Sequence, residues 1–294
     1  MAAPTVTTMP TEELVLSLSC PDRPGLIYDI SRMLIEHRCD IVESNQFSDR
    51  SAGGFHLRAQ FRPADGGAVD TVRLRQALGT LARAEGMSWR LSSTAERPRL
   101  LIMVSRVGHC LNDLLFRADT GDLAVEVAAV VSNHPDLGAL ADNHDVPFHH
   151  IPVTPATKPA AEERLMELVE LLDIDLVVLA RYMQILSPRL CKHLEGRAIN
   201  IHHSMLPSFK GARPYFQAHD RGVKLIGATA HYVTAELDEG PIIEQEIARV
   251  DHMMTAEDVT KLGRDNECLA LTRAVRWHTE NRILLDGHRT IVFR

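Results

Sequence analysis

The sequence is poor in the features that mark specialised protein classes. Its five cysteines (Cys20, Cys39, Cys110, Cys191 and Cys268) are odd in number, scattered, and contain no CxxC pair. Neither a disulfide framework nor a zinc site is indicated, no metal is expected, and reduced thiols in the cytosol are the simplest reading. No apolar run is long enough to span a bilayer, and residues 1–13 have neither a positive n-region nor an apolar h-region. The expectation is a soluble cytoplasmic protein with no membrane partner. An excess of positive charge is also missing. The formal net charge of −7 weakens non-specific nucleic-acid binding, which needs a basic surface to neutralise phosphates. A local basic pocket for an anionic ligand stays open. There is no internal repeat and no low-complexity tract.

What is present is ordinary globular composition, 45% hydrophobic and 24% charged, over 294 residues. That length is comfortable for two domains. Residues 1–12 read as a mobile tail. Leu14 to Leu18 alternate as a half-buried strand, and Cys20 to Gly25 form a turn cluster. Leu26 to Arg38 carries apolar residues at helical spacing. Strands follow at 41–47 and 55–61, then a helix at 69–85 and a strand at 88–91. The order βαββαβ is that of a split βαβ, ferredoxin-like unit. Glu96-Arg97-Pro98-Arg99 reads as a linker, which places domains at 12–94 and 99–294 with 95–98 between them.

Beyond the linker, strands alternate with helices. Strands are expected at 100–105, 125–132, 148–151 and 176–180, with helices at 110–120, 136–142 and 159–172. The apolar runs suit strands buried on both faces, and the alternation implies a doubly wound, mostly parallel sheet. Ligands on such sheets bind beyond the carboxyl ends of the strands, so the loops after Ser105, Ala180 and Ile201 are the places to look. After Ile201 the rhythm breaks into a long loop at 203–213. Two longer strands follow at 225–233 and 242–250, then a helix at 255–281 and a small closing hairpin at 283–285 and 290–293. On the long helix, Val259, Leu262, Leu269, Ala270 and Ala274 are expected to face the core. Its Arg, Glu and Asp residues are expected on a solvated face, and Trp277 is expected to pack.

The densest polar cluster runs from Asn200 to Pro207. Asn200 and His202 lie two apart and so share one face of a strand. A side-chain amide stabilises a developing oxyanion, and an imidazole beside it exchanges protons near neutral pH. Asp238 sits in Leu237-Asp238-Glu239-Gly240-Pro241, a turn between two strands. Three roles are open for it: orienting a water, holding His202, or stabilising a cationic His202. Each residue alone is more often a satisfied polar group or a plain turn. Together they fit acyl transfer to a nucleophile the protein does not itself supply, because no GxSxG elbow is present.

Three blocks make the pattern specific. Asn200 to Tyr215 (NIHHSMLPSFKGARPY), Gly227 to Ile243, and Val178 to Ser187 (VLARYMQILS) resemble the folate-dependent formyltransferase fold from about Arg99 onward. The resemblance implies that Asn200, His202 and Asp238 are catalytic. It implies a folate pocket built from Arg181, Met183, Gln184, Ile185, Leu186, Val233, Thr234, Ala235 and Glu236. Ile185 and Leu186 would meet the pterin. Ala235 departs from the pattern, since relatives often carry an acidic residue there. No cofactor is implied, because 10-formyltetrahydrofolate is itself the substrate.

Within that fold the first loop separates the acceptors. Phosphate-binding relatives carry a Gly-rich nest at a helix start. Here Ser105 to Leu115 has one glycine and a bulky Val107, and it resembles the formyltetrahydrofolate deformylase family instead. His203 and Ala212-Arg213-Pro214-Tyr215 point the same way. His109 and His203 are candidates for positioning a water. Asp22-Arg23-Pro24-Gly25-Leu26 resembles the entry to the first helix of an ACT domain. Asp22, Gly25, Leu26 and Ile27 are the candidate effector-binding residues, and glycine and methionine are the effectors implied. The resemblance therefore implies hydrolysis of 10-formyltetrahydrofolate to formate and tetrahydrofolate, within one-carbon and purine metabolism. Amino acids would regulate it through an ACT domain in a homodimer or homotetramer. Two other readings remain: a formyltransferase with an amine acceptor, and a catalytically silent amino-acid sensor. A role on initiator tRNA is disfavoured by the acidic balance.

Overall fold

The computed structural model describes residues 12–207 and 214–294. The expected tail, and the Ser208–Arg213 part of the signature loop, lie outside the described residues. The chain divides into two compact units. One holds the residues up to Glu96 together with Glu280–Leu284 and Ile291–Arg294; the other holds Arg97–Thr279 and Leu285–Thr290.

The first unit runs β1 (Leu14–Pro21), α1 (Leu26–Glu36), β2 (Cys39–Asp49), β3 (Gly54–Pro63), α2 (Thr71–Glu85) and β4 (Ser88–Ser93). Its four strands lie in the order β2-β3-β1-β4, all antiparallel. This is the expected βαββαβ unit. Leu16 and Leu18 of β1 and Phe61 of β3 meet Ile30 and Leu34 of α1 and Leu74 and Leu78 of α2 in one buried core. Asp70 caps α2 by accepting from the Arg73 amide, which satisfies an otherwise orphaned donor. Gly25 opens α1 at φ 92°, a left-handed conformation that favours glycine.

The second unit continues with β5 (Arg99–Val104), α3 (His109–Asp119), β6 (Glu126–Ser132), α4 (Gly138–Asp142), β7 (Phe148–His150), α5 (Lys158–Leu171), β8 (Leu176–Leu179), α6 (Pro188–His193), β9 (Ala198–His202), α7 (Pro214–Asp220), β10 (Leu225–Tyr232), β11 (Ile242–Arg249) and α8 (Ala256–Thr279). A two-stranded hairpin, β12 (Ile283–Asp286) with β13 (Arg289–Val292), closes the chain. The seven-stranded sheet has the order β11-β10-β9-β8-β5-β6-β7. Its five strands from β9 to β7 pair in parallel, whereas β10 and β11 run antiparallel. The fully buried runs Leu100–Val104 and Leu176–Leu179 fill its centre, as strands covered on both faces must.

Two short helices were not anticipated. α6 carries the usual start signal: the Ser187 side chain accepts from the Leu190 amide, and Pro188 follows at the first helical position. α7 follows the signature loop directly. The expected faces of α8 also need correction. Leu269 is exposed, whereas Glu267 is buried with its side chain 1% exposed. Hydrophobic period alone misassigns both, because a carboxylate enters a core when it finds enough donors there.

Candidate active site

Residues at the carboxyl ends of β8 and β9 and the turn after β10 enclose a cavity of about 250 Å³. Asn200, His202 and Asp238 all line it, as do His203 and the nine residues expected around a folate, Arg181, Met183–Leu186 and Val233–Glu236. Antiparallel pairing sets this up, since β10 places His231 opposite Asn200 and Thr229 opposite His202.

His202 Nδ1 lies 3.2 Å from Asp238 Oδ1. Its Nε2 is buried without a hydrogen-bond partner among the described residues. A carboxylate behind Nδ1 holds the proton there and leaves Nε2 as the atom that exchanges protons. The same contact, then the charges that His202, His231 and His203 carry when protonated, hold the Asp238 carboxyl below its usual range against the opposing effect of burial. Asp238 itself sits at φ 58°, a left-handed conformation of the kind that concentrates at functional sites. The turn that carries it is packed tightly. The Tyr232 amide donates to the Pro241 carbonyl at 3.0 Å, and a Cβ at Gly240 would stand 1.7 Å from the Tyr232 carbonyl oxygen.

His231 was not singled out from the sequence. Its Nδ1 lies 2.9 Å from the Tyr232 carbonyl, which can only accept, so Nδ1 carries the proton. Nε2 therefore accepts from the Asn200 amide nitrogen at 3.2 Å. This orients Asn200 with its second N–H unspent among the described residues. Burial, before the opposing hydrogen bond, pushes the His231 pKa down and keeps the ring neutral. The available signal was two-residue alternation on β10, but only strand pairing reveals that His231 faces Asn200.

His203 stacks on His202 with ring centroids 5.2 Å apart. Burial, then the nearby charges of Arg181 and His202, push its pKa down to about 4. It is neutral at pH 7. The loop that carries it is pinned by Thr229, whose hydroxyl donates to the Ser204 carbonyl and accepts from the Leu206 amide. On the other wall, the Ser105 hydroxyl accepts from the Met183 amide at 2.9 Å, and its own amide donates to the Arg181 carbonyl.

His109 stands apart from this cavity. Its Nε2 is 2.8 Å from Glu267 Oε2, so that nitrogen is not free to position a water, and its ring is absent from the cavity lining. Glu267 also accepts from the Tyr215 hydroxyl at 2.7 Å, and Arg181 Nη1 lies 3.5 Å away. Burial opposes ionisation of Glu267, but the His109 bond, the Arg181 charge and the Tyr215 bond outweigh it and lower its pKa.

The candidate effector residues all belong to the first unit. Asp22 and Gly25 lie in the turn between β1 and α1, and Leu26 and Ile27 open α1. The Leu26 side chain is committed to the core, whereas Ile27 is 47% exposed.

The βαββαβ unit and the mostly parallel sheet with its Asn-His-Asp cavity define a folate-type formyltransferase fold carrying an ACT unit. Residues 98–275 match the formyl transferase family and residues 12–91 the ACT domain family. The formyltetrahydrofolate deformylase of Corynebacterium sp. (strain P-1) is 50% identical over 95% of this chain and 98% of its own. A formyltetrahydrofolate deformylase structure from Burkholderia mallei covers 96% of this chain and 100% of its own at 47% identity, with a TM-score of 0.92. The corresponding structure from Pseudomonas syringae pv. tomato covers 98% of this chain and 97% of its own at 44% identity, with a TM-score of 0.94. The chain belongs to the formyltetrahydrofolate deformylase family, and so is an enzyme of hydrolase type. Among the described residues, no helix is long and apolar enough to cross a membrane.

Proposed function

We propose that this chain hydrolyses 10-formyltetrahydrofolate to formate and tetrahydrofolate, with no cofactor, metal or covalent intermediate in the reaction. The observation that carries the reading is the His202–Asp238 pair, with an unengaged Nε2, beside an oriented Asn200 in one cavity. The cavity is slightly smaller than the ~300–1,000 Å³ of a pocket for a whole drug-sized ligand, which fits enclosure of the bicyclic pterin alone. Met183 and Ile185 are 58% and 60% exposed at its rim, and a flat ring would cover them.

Water attacks the formyl carbon while His202 Nε2 takes its proton. Asp238 keeps His202 in the tautomer that allows this and stabilises the imidazolium formed. The His202 contact holds the Asp238 carboxyl below its usual range, which disfavours proton uptake by Asp238 itself, and its role in activating water is exerted through His202. The unspent N–H of Asn200 donates to the tetrahedral oxyanion. On collapse the C–N10 bond breaks, N10 takes the proton from the imidazolium, and formic acid leaves and ionises to formate. His203, neutral beside His202, is placed to contact the attacking water.

Domains are assigned as an ACT module at 12–94, a linker at 95–98 and a catalytic module at 99–294, whose last segments cluster with the ACT unit. The ACT module regulates by binding amino acids, glycine and methionine first, around Asp22, Gly25, Leu26 and Ile27. Leu26 contributes backbone there because its side chain is buried. Ile27, Tyr28 and Ile35, exposed on α1, are apolar side chains available for pairing in a homodimer or homotetramer. The activity places the enzyme in the cytoplasm, in one-carbon and purine metabolism.

The test is formate release from purified enzyme and 10-formyltetrahydrofolate with no acceptor added. Stoichiometric formate and tetrahydrofolate are expected. Folate binding without formate would replace this reading with that of a transferase awaiting an amine.

A further inference from the structure

We propose that His109, Cys110 and Cys268 form a binding site for one thiophilic divalent cation, zinc foremost. His109 and Cys110 open α3, and Cys268 lies on α8. One ligand atom from each lies within 4.8 Å of the others.

The imidazole is prepared for such an ion. Its Nε2 is engaged by the buried Glu267 carboxylate, which fixes the proton at Nε2 and leaves the Nδ1 lone pair for the ion. Nδ1 is buried and has no hydrogen-bond partner among the described residues, an expensive state for a nitrogen acceptor unless something occupies it. A carboxylate behind one ring nitrogen of a metal-binding histidine is the usual means of orienting the ring and raising its basicity.

The two sulfurs complete a soft donor set. Two thiolates neutralise one divalent charge, so the ion adds no net charge beside the existing Arg181–Glu267 ion pair. Imidazole with two thiolates selects zinc-like ions over magnesium or calcium, which need oxygen. Binding exchanges the thiol protons for the ion. Three protein ligands leave a fourth position for water. The site would staple α3 to α8, the two helices whose side chains already meet through His109 and Glu267.

No signature of the site is visible in the linear sequence. Cys268 lies far along the chain from His109 and Cys110, and only the packing of α3 on α8 joins them.

The test uses the full-length chain, purified in reducing buffer, freed of metal and titrated with Co²⁺. One equivalent is expected to produce a thiolate-to-cobalt charge-transfer band and tetrahedral d–d bands, which Zn²⁺ then removes. Cys268→Ser, checked for an unchanged circular dichroism spectrum, is expected to abolish the charge-transfer band and weaken uptake at least ~100-fold. X-ray absorption of the zinc-loaded parent provides a second reading should the variant misfold. It is expected to show two sulfurs at ~2.3 Å and a nitrogen at ~2.0 Å. No band in the parent, an equal band in Cys268→Ser, an oxygen-only shell, or a Cys110–Cys268 disulfide as the form isolated from reducing buffer would each overturn the proposal.

Discussion

Replacing Asp238 by Asn tests the proposed division of labour most directly. In the parent, the Asp238 carboxylate lies 3.2 Å from His202 Nδ1 and holds the proton there, so Nε2 presents a lone pair to water. An amide at the same place is nearly isosteric. Its NH₂ facing the ring would donate to Nδ1 and drive the ring proton to Nε2, where it blocks proton uptake from water. The imidazolium formed in the transition state also loses its counter-charge in a site where Asp238 is only 16% exposed. A wrong-tautomer change of this kind costs ~10⁴-fold in Ser-His-Asp hydrolases. Here water is the nucleophile, and Asn200 keeps its oxyanion contact, so we expect a loss of ~10³-fold, or about 4 kcal/mol of barrier. Single-turnover formate release at saturating 10-formyltetrahydrofolate measures it. Folate affinity by fluorescence titration should change by no more than ~3-fold, because the interaction is made mainly in the transition state. A variant that retains more than ~10% of the parent's single-turnover rate while binding folate normally would refute the role given to Asp238.

The remaining expectations follow from the same geometry. Asn200→Ala removes one oxyanion donor and should lower kcat by ~100–1,000-fold with little change in folate binding; an unchanged kcat would remove Asn200 from the oxyanion contact. Gly240→Ala would drive a Cβ to 1.7 Å from the Tyr232 carbonyl oxygen. The backbone must then move, at a cost of at least ~3 kcal/mol, which is read as a lowered urea midpoint and thermal midpoint. His203 has its pKa pushed from 6.5 down to about 4, so between these values the unfolded chain binds the proton that the folded chain excludes. Stability from this group is therefore present above pH ~6.5 and is lost as pH falls toward ~4, by at most ~3 kcal/mol. The urea midpoint of His203→Gln should fall less steeply over that window than the parent's, and parallel curves would show that the burial of His203 has no such effect.

Much of this protein was readable from local pattern. The βαββαβ order, the apolar runs 100–105 and 176–180 and the long helix near 255–281 follow from periodicity, because solvent imposes a period of two on half-buried strands and about 3.6 on helices. Family-specific blocks also brought Asn200, His202 and Asp238 forward as candidates, since motif residues within a block keep their order whatever the fold does. α6 was legible in principle from Ser187-Pro188, whose capping chemistry is local.

Tertiary packing decided the rest. His231 became a partner of Asn200 only because β10 pairs antiparallel with β9 in one register, and a two-residue pattern says nothing about what lies across a strand. Glu267 reads as a solvated helix residue by composition. Its burial depends on His109, Tyr215 and Arg181 arriving from three other segments to compensate its charge. The same convergence withdrew His109 from the cavity and set its ring beside two cysteines of different helices. Periodicity is a local response to water and so can be read along the chain, whereas pairing between distant charges, imidazoles and thiols depends on separations in space that arise only when the chain has folded.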